Sequence, residues 1–350
     1  MIKVLVVDDS PFIRLALKKL LSSEGDIEVV GEASNGKDAI KLVQELKPDV
    51  ITLDVNMPVM DGLTALGEIK KVCPYCKVIM ISALTREGAR ETIEALNKGA
   101  IDFITKPTDY QELFNFKGEI IEKIRSAYES DRKREEASSA VKEFAPPPKK
   151  ELGEEVFTSP PIVALGISTG GPQTLNVVLP KLPPDFPSPV VIAIHMPDTF
   201  TATFAKHLDS MCKLPVKEAQ EGEVIKPGHI YISRGRIHLK LKGTPQRAYV
   251  NYVQDDSYVY KPSADLLLSS ASQVFGSNTI GVIMTGMGND GAKGIVEVKN
   301  AGGTTVAEDP KTAILWAMPE SAIKTGCVDY VVPKEKMAEL LIKLVSGVRA

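Results

Sequence analysis

Short runs of β-branched and other apolar residues recur along the chain, each followed by a turn and then by a stretch with helical periodicity. In the first third the runs are Lys3–Val7, Glu28–Ala33, Val50–Leu53, Val78–Ile81 and Ile101–Ile104. Helical patterns fill the intervals at about 11–23, 36–46, 61–71 and 87–98, and a last one runs from about 109 to 128. Two parallel strands of one sheet need a helix-length crossover between them, so this alternation predicts a doubly wound parallel sheet with right-handed connections. The alternation returns after Pro160, at Ile162–Leu165, Val190–Ile194 and Ile280–Thr285, then TTVAED and VDYVV. The expected fold class is therefore α/β, with two doubly wound parallel-sheet domains.

A length of 350 residues fits two domains of ordinary size, and 43% hydrophobic with 25% charged residues fits a globular protein. No apolar run is long enough for a membrane helix, and Asp8 and Asp9 follow the first strand at once, unlike a signal peptide. The expectation is a cytoplasmic protein without direct membrane insertion. A net charge of −3 and no dominant basic block argue against nucleic acid as a partner. Cys73 and Cys76 form a C-x-x-C, but Cys212 and Cys327 are isolated, so no second pair completes a zinc site. Structural or incidental thiols are the expected reading.

Carboxylates collect at strand ends in the first domain. Asp8 and Asp9 follow the first strand, Asp54 the third; Ser82 ends the fourth, and Lys106 follows the fifth. All fall on the carboxyl edge of one sheet, where doubly wound folds place their sites. Three carboxylates there ionise together cheaply only if a cation joins them, and a hard, oxygen-ligated ion such as Mg²⁺ suits the set. Helix N-capping would account for Asp8 or Asp9 singly, but not for their convergence with Lys106.

The motifs VLVVDDSPFIR, ITLDVNMPVMDG, MISAL and DFITKP resemble the receiver domain of two-component signalling, and the match covers the whole segment 1–127. The resemblance implies a flavodoxin-like fold in which Asp54 accepts a phosphoryl group from a histidine kinase. It implies Mg²⁺ held by Asp8, Asp9, Asp54 and the main-chain carbonyl of Asn56. It further implies Lys106 on the phosphoryl oxygens, Ser82 and Phe103 as the switch pair, and a cis bond at Pro107. A phosphoryl group would add about −1.5 to −2 charges and three acceptor oxygens. Residues 128–157, which include EFAPPPKKELGEE, are charged and Pro-rich and read as a linker, in which Phe144 is the aromatic that invites packing between domains.

In the second domain, 158–350, Ile162–Leu165 runs into the Gly-rich turn GISTGGP, which presents Ser168 just ahead of a helix. An exposed hydroxyl beside helix N-terminal donors suits a serine nucleophile; a helix cap or a phosphate cradle would suit the turn as well. His195 ends Val190–Ile194, and Asp290 lies in the loop after Ile280–Thr285. Nucleophile, base and orienting carboxylate would thus converge from three strands. His207, His229 and His238 read as poorer candidates: a helix's polar side, a turn and a strand. Residues from Asp209 to about Val253 read as antiparallel strands and hairpins inserted in the α/β core, and Pro262–Phe275 as a helix capped by Ser263.

Two patterns compete. GISTG fits the nucleophile elbow of α/β-hydrolases, but that fold orders its triad serine, acid, histidine, whereas here the order is Ser168, His195, Asp290. Gly286-Met-Gly288-Asn-Asp-Gly291, with Glu308 after the next strand, fits a dinucleotide-binding fingerprint, which leaves Ser168 and His195 unexplained.

GISTGGP, IHMPDTFTATFAKHLD, EAQEGEVIKPGHIYIS, MTGMGNDGAKG and WAMPESAI resemble the catalytic domain of chemotaxis protein-glutamate methylesterases. The resemblance implies Ser168, His195 and Asp290 as the triad and the Met287 N–H as an oxyanion donor, with no cofactor for the ester chemistry. It implies hydrolysis of γ-glutamyl methyl esters on methyl-accepting chemoreceptors, deamidation of receptor glutamines, and control by the receiver. Ile167 and Ser233-Arg234 depart from the usual pattern and are expected to alter surface shape.

Overall fold

The computed structural model describes residues 1–83, 85–107, 116–129 and 161–346. The chain divides into two compact units. Residues 128 and 129 of the expected linker are helical; the rest of it, Phe144 included, falls outside the described residues, as does the start of the helix expected from 109.

The first unit runs β1 (Ile2–Val7), α1 (Pro11–Leu21), β2 (Ile27–Ala33), α2 (Gly36–Leu46), β3 (Val50–Asp54), α3 (Gly62–Val72), β4 (Lys77–Ser82), α4 (Arg86–Asn97), β5 (Asp102–Thr105) and a helix α5 over 116–129. The strands pair in parallel in the order β2-β1-β3-β4-β5. This is the flavodoxin-like order, with its switch point between β1 and β3. Val4 to Val7 and Val50 to Asp54 are buried because helices cover both faces of the sheet. The helices start on side-chain caps: Ser10, Asn35, Asp61 and Thr85 accept backbone N–H groups of the first turns. The cis peptide bond among the described residues is Lys261–Pro262, so the cis bond expected at Pro107 is not found. Cys73 and Cys76 are joined in a disulfide across the α3–β4 connection, where structural or incidental thiols were expected. The i,i+3 spacing over Pro74-Tyr75 folds the chain back so that the two Cα atoms lie 5.5 Å apart, within bonding reach.

The second unit runs β6 (Ile162–Ile167), α6 (Gly171–Val178), β7 (Val190–Ile194), α7 (Asp198–Asp209), β8 (Val216–Glu218), β9 (Ile230–Ile232), β10 (His238–Thr244), β11 (Arg247–Val253), α8 (Ala264–Phe275), β12 (Thr279–Ile283), α9 (Ala292–Asn300), β13 (Thr304–Glu308), α10 (Ala317–Lys324), β14 (Tyr330–Val332) and α11 (Lys334–Val345). Seven strands form one sheet in the order β14-β13-β12-β6-β7-β9-β8, all neighbours parallel. The chain builds outward from β6 through β7, then crosses to β12 on its other side. The crevice of this fold therefore opens at the carboxyl ends of β6 and β12.

The expected antiparallel insertion is only partly antiparallel. β10 and β11 form the hairpin, which packs on α8, where Leu241 N–H donates to Ser270 Oγ at 3.0 Å. β8 and β9 instead join the main sheet in parallel, with Val190 paired to Ile230. Ile230, Tyr231 and Ile232 are all buried, so they fill a sheet position that a solvent-facing hairpin would leave open. Ile167 is also buried, beneath the serine turn, as is Ser233; of the three departures only Arg234 reaches the surface.

Candidate active site

Ser168 follows β6 directly. Its N–H donates to Thr285 O at 2.9 Å, and the turn closes with Gly171 N–H on Ser168 O at 2.7 Å. Gly170 takes φ +76°, a left-handed conformation, and a Cβ there would press into Ile314, so the turn needs glycine. His195 follows β7, and its N–H reaches Ile167 O at 3.2 Å, which places the imidazole beside the serine. Asp290 closes the loop after β12.

The three side chains meet. His195 Nδ1 lies 3.0 Å from Ser168 Oγ, and His195 Nε2 lies 2.8 Å from Asp290 Oδ2. A carboxylate can only accept, so Nε2–H donates to Asp290, and Nδ1 is left to accept from the serine hydroxyl. Asp290 is seated at the N-terminus of α8. Its Oδ2 also accepts from Ala264 N–H, and its Oδ1 accepts from Ser263 Oγ–H and Asp265 N–H. Burial pushes the Asp290 carboxyl up, but the His195 and backbone hydrogen bonds outweigh it and hold the group below its ordinary value. It is therefore a fixed anion facing the imidazole.

Ser168 is 8% exposed and Asp290 5%, while the His195 side chain retains 12%. The triad is thus largely buried, with the imidazole its most accessible member. Gly286 lies directly over the serine: a Cβ there would fall 2.8 Å from Ser168 Cβ. The Gly286–Met287 peptide therefore passes close to the nucleophile. Gly286 N–H is bonded to Leu315 O, whereas no protein acceptor engages the Met287 N–H among the described residues.

In the first unit Asp8, Asp9 and Asp54 each offer an oxygen within 4.8 Å of the others'. Lys106 Nζ donates to Asp54 Oδ2 at 2.8 Å and lies 3.1 Å from Asp8 Oδ2. The latter is an ion pair to a buried carboxylate. Burial drives the Asp54 carboxyl up to about 6; the Lys106 bond offsets part of that, and Asp8 adds to it. Ser82 is buried and its hydroxyl donates to Gly88 O at 3.2 Å, and Phe103 is buried beneath Lys123. Neither side chain is bonded to Asp54. Asn56 turns its side-chain amide to Glu91, while its main chain hydrogen-bonds the Asp54 carboxylate.

Residues 163–341 match the CheB methylesterase family, and residues 4–116 match the response regulator receiver domain. The chain belongs to the CheB methylesterase family. It is 46% identical over 354 residues to a Pyrococcus horikoshii protein named protein-glutamate methylesterase/protein-glutamine glutaminase, covering 99% of this chain and 95% of that one. A Thermotoga maritima protein of the same name is 44% identical over 347 residues, covering 98% of each. The crystal structure of the Thermotoga maritima CheB methylesterase catalytic domain superposes with a TM-score of 0.52 at 45% identity, over 53% of this chain and all of that domain. As a CheB methylesterase the chain is a protein-glutamate methylesterase and glutaminase, a hydrolase carrying a receiver. No helix among the described residues is long and apolar enough to cross a membrane.

Four further residues, none of them expected at the triad, surround the CheB site. Tyr260 stacks on His195, with ring centroids 4.9 Å apart and planes 5° apart. Ser263 caps α8 and also donates to Asp290. Glu308, the candidate ribose acid, is instead buried behind the site. It accepts from Thr285 N–H at 2.9 Å and from the Thr312 hydroxyl at 3.2 Å. His238, read as a plain strand residue, is buried and accepts from Ser263 N–H. Ser263 and His238 carry local signals, a cap position and a buried strand register; Glu308 carries the misleading signal of a ribose-binding acid, and Tyr260 carries none.

Proposed function

We propose that Ser168, His195 and Asp290 hydrolyse γ-glutamyl methyl esters of chemoreceptors by two-step acyl transfer. The unbroken run of hydrogen bonds from Ser168 Oγ through His195 to Asp290 carries this reading. His195 Nδ1 takes the serine proton as Oγ attacks the ester carbonyl. Asp290 holds the imidazole by Nε2–H and balances the imidazolium that forms. The oxyanion falls to the Met287 N–H, and one such donor is worth about 3–4 kcal/mol in the transition state. Collapse expels methoxide, which leaves as methanol with the proton from Nδ1. Water then gives its proton to Nδ1 and attacks the glutamyl-serine ester, which releases the glutamate and restores Ser168. A receptor glutamine follows the same course with ammonia as the leaving group.

The receiver regulates this step through phosphorylation of Asp54 by a histidine kinase. Asp8, Asp9 and Asp54 fit Mg²⁺: all are oxygen donors, and one oxygen of each lies within 4.8 Å of the others. With the Asn56 carbonyl they would hold the ion, which when bound neutralises charge on the phosphoryl oxygens. Lys106 would pair with the phosphoryl group, and Ser82 and Phe103 would report it. A coupling of about 1–3 kcal/mol changes activity roughly five- to 150-fold. The proposed parts are a receiver over 1–127, a linker over 128–157 and a catalytic domain over 158–350. Ser168→Ala tests the chemistry: methanol release from methylated receptor membranes should vanish, and retained release would refute the scheme.

A further inference from the structure

Ring stacking on a catalytic histidine constrains the atom that must move a proton. Tyr260 lies flat on His195, and its ring edge meets the oxyanion loop: a Cβ on Gly288 would fall 2.8 Å from Tyr260 Cζ. Gly288 therefore leaves room for the tyrosine. The segment that carries Tyr260 is anchored at both ends by one buried side chain. His238 Nε2–H donates to Asp255 O at 2.9 Å, and His238 Nδ1 accepts from Ser263 N–H at 3.1 Å. The Tyr258 ring packs on that same histidine, with centroids 5.3 Å apart. A segment so held presents Tyr260 as a fixed wall rather than a loose cover.

We propose that Tyr260 is a positioning residue for His195, which keeps the imidazole in the one plane that serves Ser168 and Asp290 together and shields the Nε2–H bond from water. The argument is geometric. With Nδ1 committed to Ser168 and Nε2 to Asp290, rotation about the Cβ–Cγ bond of His195 breaks both hydrogen bonds at once. Asp290 and its donors hold the Nε2 edge, and the serine is small. A flat aromatic surface parallel to the ring resists that rotation by steric contact. Its negative π-face also favours the imidazolium formed during proton transfer. The phenol hydroxyl is not required for either effect. The inference rests on His195 acting as the base, and its test includes a reading that does not depend on turnover.

The full-length protein would be compared as wild type, Tyr260→Phe and Tyr260→Leu, with thermal unfolding to confirm that each is folded. For Tyr260→Leu the expected result is a loss of about ten- to 100-fold in kcat with KM within about twofold, since small misplacement of reacting groups costs on that scale. Tyr260→Phe should recover most of that loss. In proton NMR the His195 Nε2–H resonance should persist in wild type and Tyr260→Phe, and broaden by solvent exchange in Tyr260→Leu. Unchanged exchange in Tyr260→Leu, or a loss confined to KM, would overturn the proposal. The resonance tests the wall even if Ser168→Ala shows the esterase scheme to be wrong.

Discussion

His195 meets Asp290 through Nε2, so the nitrogen that faces Ser168 is Nδ1. The carboxylate selects the Nε2–H tautomer, and Asp290 can do this because α8 donates two backbone N–H groups to it. Nitrogen-15 NMR of labelled histidine should show the neutral His195 ring with Nε2 protonated and Nδ1 bare. The reverse assignment would contradict the arrangement.

Asp290→Asn keeps the size of the side chain but loses the charge. Its amide would present a donor to Nε2, or turn one toward the α8 N-terminus. In a serine triad the wrong tautomer costs about 10⁴-fold in kcat. A loss of about 10³- to 10⁴-fold, with receptor binding retained in a pull-down, is expected. A loss under tenfold would show that Asp290 does not orient the base.

Glu308 sits behind the serine turn and ties Thr285 to the loop at Thr312. Burial pushes its carboxyl up to about 7, against a partial offset from the Thr285 N–H. Because the folded value lies above the ordinary one, ionisation opposes folding. The contribution is intact at low pH and is lost as pH rises to about 7, on the order of 3 kcal/mol. Denaturant unfolding followed at Trp316, the one tryptophan, should therefore show wild type weakening from pH 5 to pH 8 more than Glu308→Gln. Parallel pH trends would exclude this role.

Much of the fold was legible because strand and helix periods leave local marks. β1 to β5, β6, β7, β12 and β13 all lie where apolar runs put them, and Ser168, His195 and Asp290 sit at strand ends as expected. Pairing partners are a different matter. β8 and β9 have three residues each, too few for a period to separate sheet from hairpin, and their parallel pairing depends on an open place beside β7. Tyr260 was not legible since its role lies in a ring contact with a strand end remote in sequence. Glu308 mimics a ribose-binding acid until burial shows it facing inward. The Cys73–Cys76 bond depends on a backbone turn that a C-x-x-C does not specify.

The most direct measurement is methanol release from methylated chemoreceptor membranes, with and without a small-molecule phosphodonor and Mg²⁺. Wild type should release methanol, faster with the phosphodonor; Asp54→Asn should keep only the slow rate, and Ser168→Ala should release none. Release by Ser168→Ala equal to wild type, or a phosphodonor response that survives in Asp54→Asn, would contradict the account.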